Sequence, residues 1–194
     1  MLRKVSSTCA FAALALVMAT PAFASSGSVA IQTNSSYVLS TDEAVANEIG
    51  RRIAQYAFYS IYDDVDGWVH DGVVTLTGKV RMPHIASDIA KLAAQVAGVR
   101  EVDNRIQTLP VSMFDDELRA GIAAQIYGDP LFSNYAFQST PPIHIVVENG
   151  HVRLTGVVNS EVERRMADVI ARMTPGTFDV DNNLRLDSEM TSAN

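Results

Sequence analysis

His70, His84, His144 and His151 are the side chains of this 194-residue chain best suited to hold a metal or pass a proton near neutral pH. A helical metal site needs two ligands one turn apart, as in His-x3-His or His-Glu-x-x-His, and no pair has that spacing. All four read as solvated turn or sheet-surface histidines. Asp63-Asp64-x-Asp66 could open a calcium loop, but the glycine and glutamate such a loop needs further on are missing. The run reads better as a charged strand edge that discourages strand addition. No Gly-x-Ser-x-Gly elbow, phosphate loop or glycosidase-type acid pair can be placed. The chain is therefore expected to be no enzyme, with no catalytic residue, no metal and no cofactor.

Contact chemistry is better represented. Trp68 falls on the polar face of a strand, opposite Thr75 and close to Val73. An indole there is either half-buried against a neighbouring domain or part of a partner site. A second candidate lies near the C-terminus, where Val162, Met166, Val169 and Met173 recur at helical spacing, flanked by Arg164, Arg165 and Arg172. Two readings stand: a helix rotated by about one residue, ~100°, so that its core stripe has moved, or an added contact face for the other half of the chain or a membrane surface.

The first 24 residues have the layout of an export signal. Arg3 and Lys4 form a basic start, Phe11 to Ala19 an apolar run too short to span a bilayer, and Ala22-Phe23-Ala24 a small-x-small cleavage site. Cleavage is expected after Ala24, followed by a flexible segment, 25–39. The single cysteine, Cys9, precedes the apolar run, so no thiol remains for disulfides, metal binding or a lipid anchor. Without Arg3 and Lys4 the basic residues number 13 against 22 acidic ones, a net charge near −9. Such a field repels nucleic acid and, as a whole, anionic lipid.

The elements that position these residues are written twice. "HDGVVTLTGKV" and "ENGHVRLTGVV" align at an offset of 78, placing Gly150 on Gly72, Gly156 on Gly78 and Gly176 on Gly98; Val180-Asp181-Asn182 falls on Val102-Asp103-Asn104. Upstream the offset is 73, with "TDEAVANEIGRRI" over "FDDELRAGIAAQI", so five extra residues sit within "YGDPLFSNYAFQSTPP". Val45, Ile49, Ile53 and Tyr56 share one helical face, with Ser40 and Glu43 as a capping box. Asp-Gly and Asn-Gly mark two-residue hairpin turns. In the second hairpin Glu148 then faces His151, with Ile143, Ile145, Val147, Val152 and Leu154 on the inner side. Gly78 and Gly156 also point inward, where a helix could approach the sheet closely.

A second helix follows, starting at Pro83 in one copy and capped by Ser160 and Glu163 in the other; Gly98 and Gly176 end it, and a short strand closes the unit. The fold expected is α+β: two tandem αββαβ repeats over 40–109 and 113–187, each a three-stranded mixed sheet with two helices on one face. Each repeat is near the lower size limit for an independent core, and "QTLPVS" is a poor free tether, so the two should pack together.

The set "DGVVTLTGKV" … "AGVREVDNRI" and "NGHVRLTGVV" … "PGTFDVDNNL", covering Thr41 to Leu186, resembles the BON domain of bacterial envelope proteins. The second copy departs in having Gly176-Thr177-Phe178 where Gly-Val is usual, and the chain has no lipobox. The resemblance implies a non-enzymatic, periplasmic binding module for envelope maintenance or stress, contacting phospholipid surface or other envelope components. An alternative is a periplasmic chaperone or scaffold for exported client proteins. The mature chain is expected to be a monomer or weak dimer without a transmembrane segment.

Overall fold

The computed structural model describes residues 3–5, 41–138 and 140–192. Most of the expected leader, the segment 25–39 and the capping residue Ser40 lie outside the described residues. Strand β1 (Arg3–Val5) is followed by repeat 1: α1 (Thr41–Ala54), β2 (Asp64–His70), β3 (Val73–Val80), α2 (Pro83–Ala94), β4 (Glu101–Asn104) and β5 (Gln107–Thr108). Repeat 2 comprises α3 (Met113–Gly128), α4 (Ser133–Ala136), β6 (Ile143–Glu148), β7 (His151–Val158), α5 (Glu161–Met173) and β8 (Asp179–Leu186), before a last short helix, α6 (Asp187–Ser192). Each repeat has the expected α+β order and a mixed sheet. In repeat 2 the order is β6-β7-β8, antiparallel then parallel. In repeat 1 the last strand is split into β4 and β5, both parallel to β3, and β1 adds to the outer edge of β2.

Local rules account for most of this. Glu148 faces His151, as the Asn-Gly turn requires, and Asn149 and Gly150 take φ of 53° and 77°; Asp71 and Gly72 match them at 49° and 75°. Val45, Ile49 and Ile53 bury one face of α1 against Val65, Val74 and Leu76, while Ile85, Ile89 and Ala93 bury one face of α2. Ser160 accepts from the Glu163 amide at 3.2 Å to start α5. The extra residues of repeat 2 form a 3-10 turn, Pro130–Phe132, and α4, which drive Phe132 and Tyr135 into its core. The recurring asparagine of the last strand ties it to the helix above. Asn104 donates to the Ala86 carbonyl at 3.1 Å and Asn182 to the Arg164 carbonyl at 2.9 Å.

Gly78 and Gly156 depart from their expected role. A Cβ at either would strike backbone of the adjoining chain, the Asp64 carbonyl or the Pro142 carbonyl, and their φ values are 121° and 117°. The close approach is therefore to a neighbouring strand end, not to a helix.

The repeats meet through the open faces and edges of their sheets. The Ile145 amide donates to the Ile61 carbonyl at 2.6 Å, Lys79 pairs with Glu148, and Ile61 and Tyr62 pack on the core of repeat 2. This seam corrects two expectations. His144 is not a solvated sheet histidine: it is buried, 2.7 Å from the Asp63 carbonyl, with its ring 5.4 Å from that of Tyr59 at a tilt of 40°. Asp63 is fully buried and accepts from the amides of Ser60 and Arg81, so this first acid of the run is a turn lock rather than part of a charged edge. Periodicity reads one sheet at a time and cannot show what covers its open face.

Candidate binding surfaces

One end of repeat 2 is built around its hairpin turn. Asp115, in the first turn of α3, is 1% exposed and accepts from the amides of Asn149 and Gly150, each at 2.9 Å. The Phe178 ring lies over Gly150, and its amide donates to the Gly150 carbonyl at 2.9 Å. Phe114 lies over Gly176: a Cβ there would stand 2.7 Å from its ring. These glycines are seats for aromatic rings as well as turn formers. Met113 is 80% exposed, Phe114 51%, Met173 75% and Phe178 79%, so this end presents thioethers and rings to solvent. At the matching offsets repeat 1 has Ser40, Thr41, Gln95 and Arg100. Arg100 occupies the place of Phe178, packing over Gly72 and donating to the Asp71 carbonyl.

The outer face of α5 continues from that end. Ala167 and Ala171 face the core, with Ile170 packed against it and Thr174 buried, whereas Val162, Met166, Val169 and Met173 are exposed. The helix is thus not rotated, and the second stripe lies outside the core. Its arginines are paired. Arg164 reaches Glu161 at 2.5 Å and Arg165 reaches the same carboxylate at 3.1 Å; Arg172 reaches Asp168 at 2.8 Å and donates to the Val180 carbonyl. Glu161, Arg164, Arg165, Asp168, Val169 and Asn182 line a shallow groove of about 540 Å³ beside this stripe. Paired charges of both signs give such a groove no strong preference for anions.

Elsewhere, Trp68 sits half-buried on the open face of its sheet, opposite Thr75 as expected, far along β2 from the seam residues Ile61–Asp64. Asp42, His70 and Asp71 bring their ligand atoms within 4.8 Å of one another, but both Asp42 oxygens already accept from the amides of Asp71 and Gly72. That carboxylate serves the turn.

The BON domain family model matches residues 41–110 and again 115–188, nearly the whole described fold. The chain belongs to the BON domain family. BON domains are binding modules associated with phospholipid-binding proteins of the envelope and its stress responses. No curated protein sequence matches the chain. Among solved structures it is similar to the C-terminal domain of CdsD, the structural protein of the type III secretion system of Chlamydia trachomatis, at 18% identity over 75% of this chain and 66% of that one, with a TM-score of 0.30. A second CdsD structure aligns at 14% identity over 77% and 96% of the two chains, with a TM-score of 0.27.

Between them the two BON domains divide the expected site residues. Met173 joins the exposed end of the second domain; Met166, Val169, Arg164, Arg165 and Arg172 lie along its α5; Trp68 stands apart in the first domain. Phe114, Phe178 and Met113 were not among the residues singled out from the sequence. Their signal was present in the repeat alignment, as positions polar in the first domain and apolar in the second at one shared end.

Proposed function

We propose that this tandem BON protein is a non-enzymatic periplasmic module that meets phospholipid surface with the turn end of its second domain, the α5 stripe serving as an extension of that contact. The observation that supports this reading is the cluster of Met113, Phe114, Met173 and Phe178, exposed around one turn whose backbone is locked by buried Asp115. Side chains of this type, on a rigid turn, suit shallow insertion at the boundary between headgroups and acyl chains. The pairing of Arg164, Arg165 and Arg172 and the net charge near −9 of the chain from Ser25 leave little electrostatic attraction. Binding to anionic vesicles is therefore weak. No helix among the described residues is long and apolar enough to cross a membrane, which fits a surface contact.

The test is flotation of the chain from Ser25 with phospholipid vesicles. Phe114→Ser with Phe178→Ser should weaken binding about tenfold or more, with the far-ultraviolet spectrum unchanged, since each partly inserted ring contributes about 1 kcal/mol. Unchanged binding by the double variant would sink the assignment of the surface. Absence of vesicle binding, together with suppression of client aggregation that the same variant loses, would transfer the surface to exported polypeptides.

A further inference from the structure

Methionine is ordinarily a core residue, filling gaps among other apolar side chains. In this chain it is not. Met82, Met113, Met166 and Met173 are all exposed, and neither core contains a methionine among the described residues. The chain from Ser25 also has no thiol, since Cys9 lies in the expected leader, so thioethers are its oxidant-sensitive sulfur. Three of the four belong to the contact surface of repeat 2. Met113 opens α3 and Met173 closes α5, and the Phe114 ring seated over Gly176 ties those helix ends together. These two are the most exposed of the four, Met82 standing at 48% and Met166 at 38%. Repeat 1 has Ser40, Asp88 and Gln95 at the matching offsets, so the sulfur belongs to this surface and not to the repeat as such.

We propose that Met113 and Met173 form a reversible oxidation site that regulates the phospholipid contact, a proposal that rests on the lipid reading of this end. Hydrogen peroxide is the oxidant. The thioether sulfur attacks one peroxide oxygen, and the O–O bond breaks as the S–O bond forms. The departing hydroxide takes the proton of the transferred oxygen and leaves as water, so sulfur is oxidised and peroxide reduced. A dithiol reverses the step: its sulfurs join as a disulfide and the sulfoxide oxygen leaves as water. The sulfoxide is polar, and beside Phe114 and Phe178 it keeps water at rings that would otherwise enter the acyl boundary. Because both sulfurs lie outside the core, the domain stays folded while its contact surface changes.

The experiment treats the chain from Ser25 with hydrogen peroxide and maps sulfoxides by peptide mass spectrometry. Flotation with vesicles of phosphatidylethanolamine and phosphatidylglycerol is compared before oxidation, after it, and after repair by methionine sulfoxide reductases for both sulfoxide epimers. Met113 and Met173 should oxidise first, flotation should weaken about tenfold with the thermal melt unchanged, and repair should restore it. Met113→Leu with Met173→Leu should float equally before and after peroxide, whatever its own affinity, whereas Met82→Leu should remain peroxide-sensitive. Three results would overturn the proposal: sulfoxide at Met113 and Met173 without loss of flotation, a loss that the double leucine variant still shows, or a loss explained by unfolding of the oxidised chain. A reduced chain that does not float removes the lipid contact and this regulation with it, and that failure appears before any peroxide is added.

Discussion

The carboxylate of Asp115 holds the amide of Gly150 at 2.9 Å, and in the other repeat Asp42 holds the amide of Gly72 at 3.0 Å. Both acids open the first helix of their repeat, and both grip a turn that is distant in sequence. The clamp ties helix to hairpin at the end where the exposed rings of repeat 2 sit. Asp115→Ala should cost about 2–4 kcal/mol, because the carboxylate is itself buried and its charge-assisted bonds to the buried Gly150 amide and the partly buried Asn149 amide are not readily replaced by water. Asp42→Ala should cost less, about 1–2 kcal/mol, since Asp42 is only partly buried, its bond to the Asp71 amide is exposed and hydration substitutes. Denaturant melts of the two variants that match the parent would remove the clamp from this account.

Gly150→Val should destabilise repeat 2 by about 1–3 kcal/mol, because φ is 77° and the new Cβ strikes the Phe178 ring. Gly78→Val and Gly156→Val should cost about 3 kcal/mol or more, since what they strike is backbone and cannot swing aside. Equal costs at all three positions, read from chemical unfolding, would contradict the difference between ring and backbone neighbours.

The seam should loosen in mild acid. A carbonyl can only accept, so Nδ1 of His144 donates to Asp63, and burial holds the imidazole below its ordinary pKa of 6.5. The unfolded chain then takes up a proton before the folded one does. Stability is fully present above about pH 7 and falls as pH drops through 6.5 toward the lower folded value. Asp64 acts in the opposite sense: burial raises its pKa above 3.8, so its protonation in the folded chain offsets part of the loss at lower pH. His144→Gln should flatten the change in melting temperature between pH 7.5 and about 5.5. An unaltered pH slope in that variant would rule His144 out as its source.

Met166→Gln with Met173→Gln should cost no more than about 1 kcal/mol in stability, as both side chains lie outside the core. Vesicle flotation should fall in the same variant. A loss of several kcal/mol would place the stripe in the core after all.

Mass spectrometry of the exported protein should find a chain beginning at Ser25 with no acyl group, because Cys9 precedes the apolar run. A diacylated N-terminal cysteine would refute the unanchored form.

The duplication, the α+β order, both hairpin registers and the inward faces of α1 and α2 were legible in the sequence, whereas the sequence left two readings of α5 open. Each depends on neighbours a few residues apart: Asn149-Gly150 dictates its own turn, and Ile85 and Ile89 share a face by the pitch of the helix. What lay beyond the sequence was where distant elements meet. His144 looked solvated because the strand pattern cannot register that a second sheet covers it. Phe114 and Phe178 looked unrelated because one opens a helix and the other precedes a strand, and only the packing of α3 and β8 around the hairpin sets both beside the same turn. The same holds for Asp115, whose carboxylate would be an ordinary helix-start acid without Gly150 in reach. Local periodicity determined the elements of this protein; burial and surface chemistry were decided by long-range packing, which brings together residues with no fixed sequence spacing.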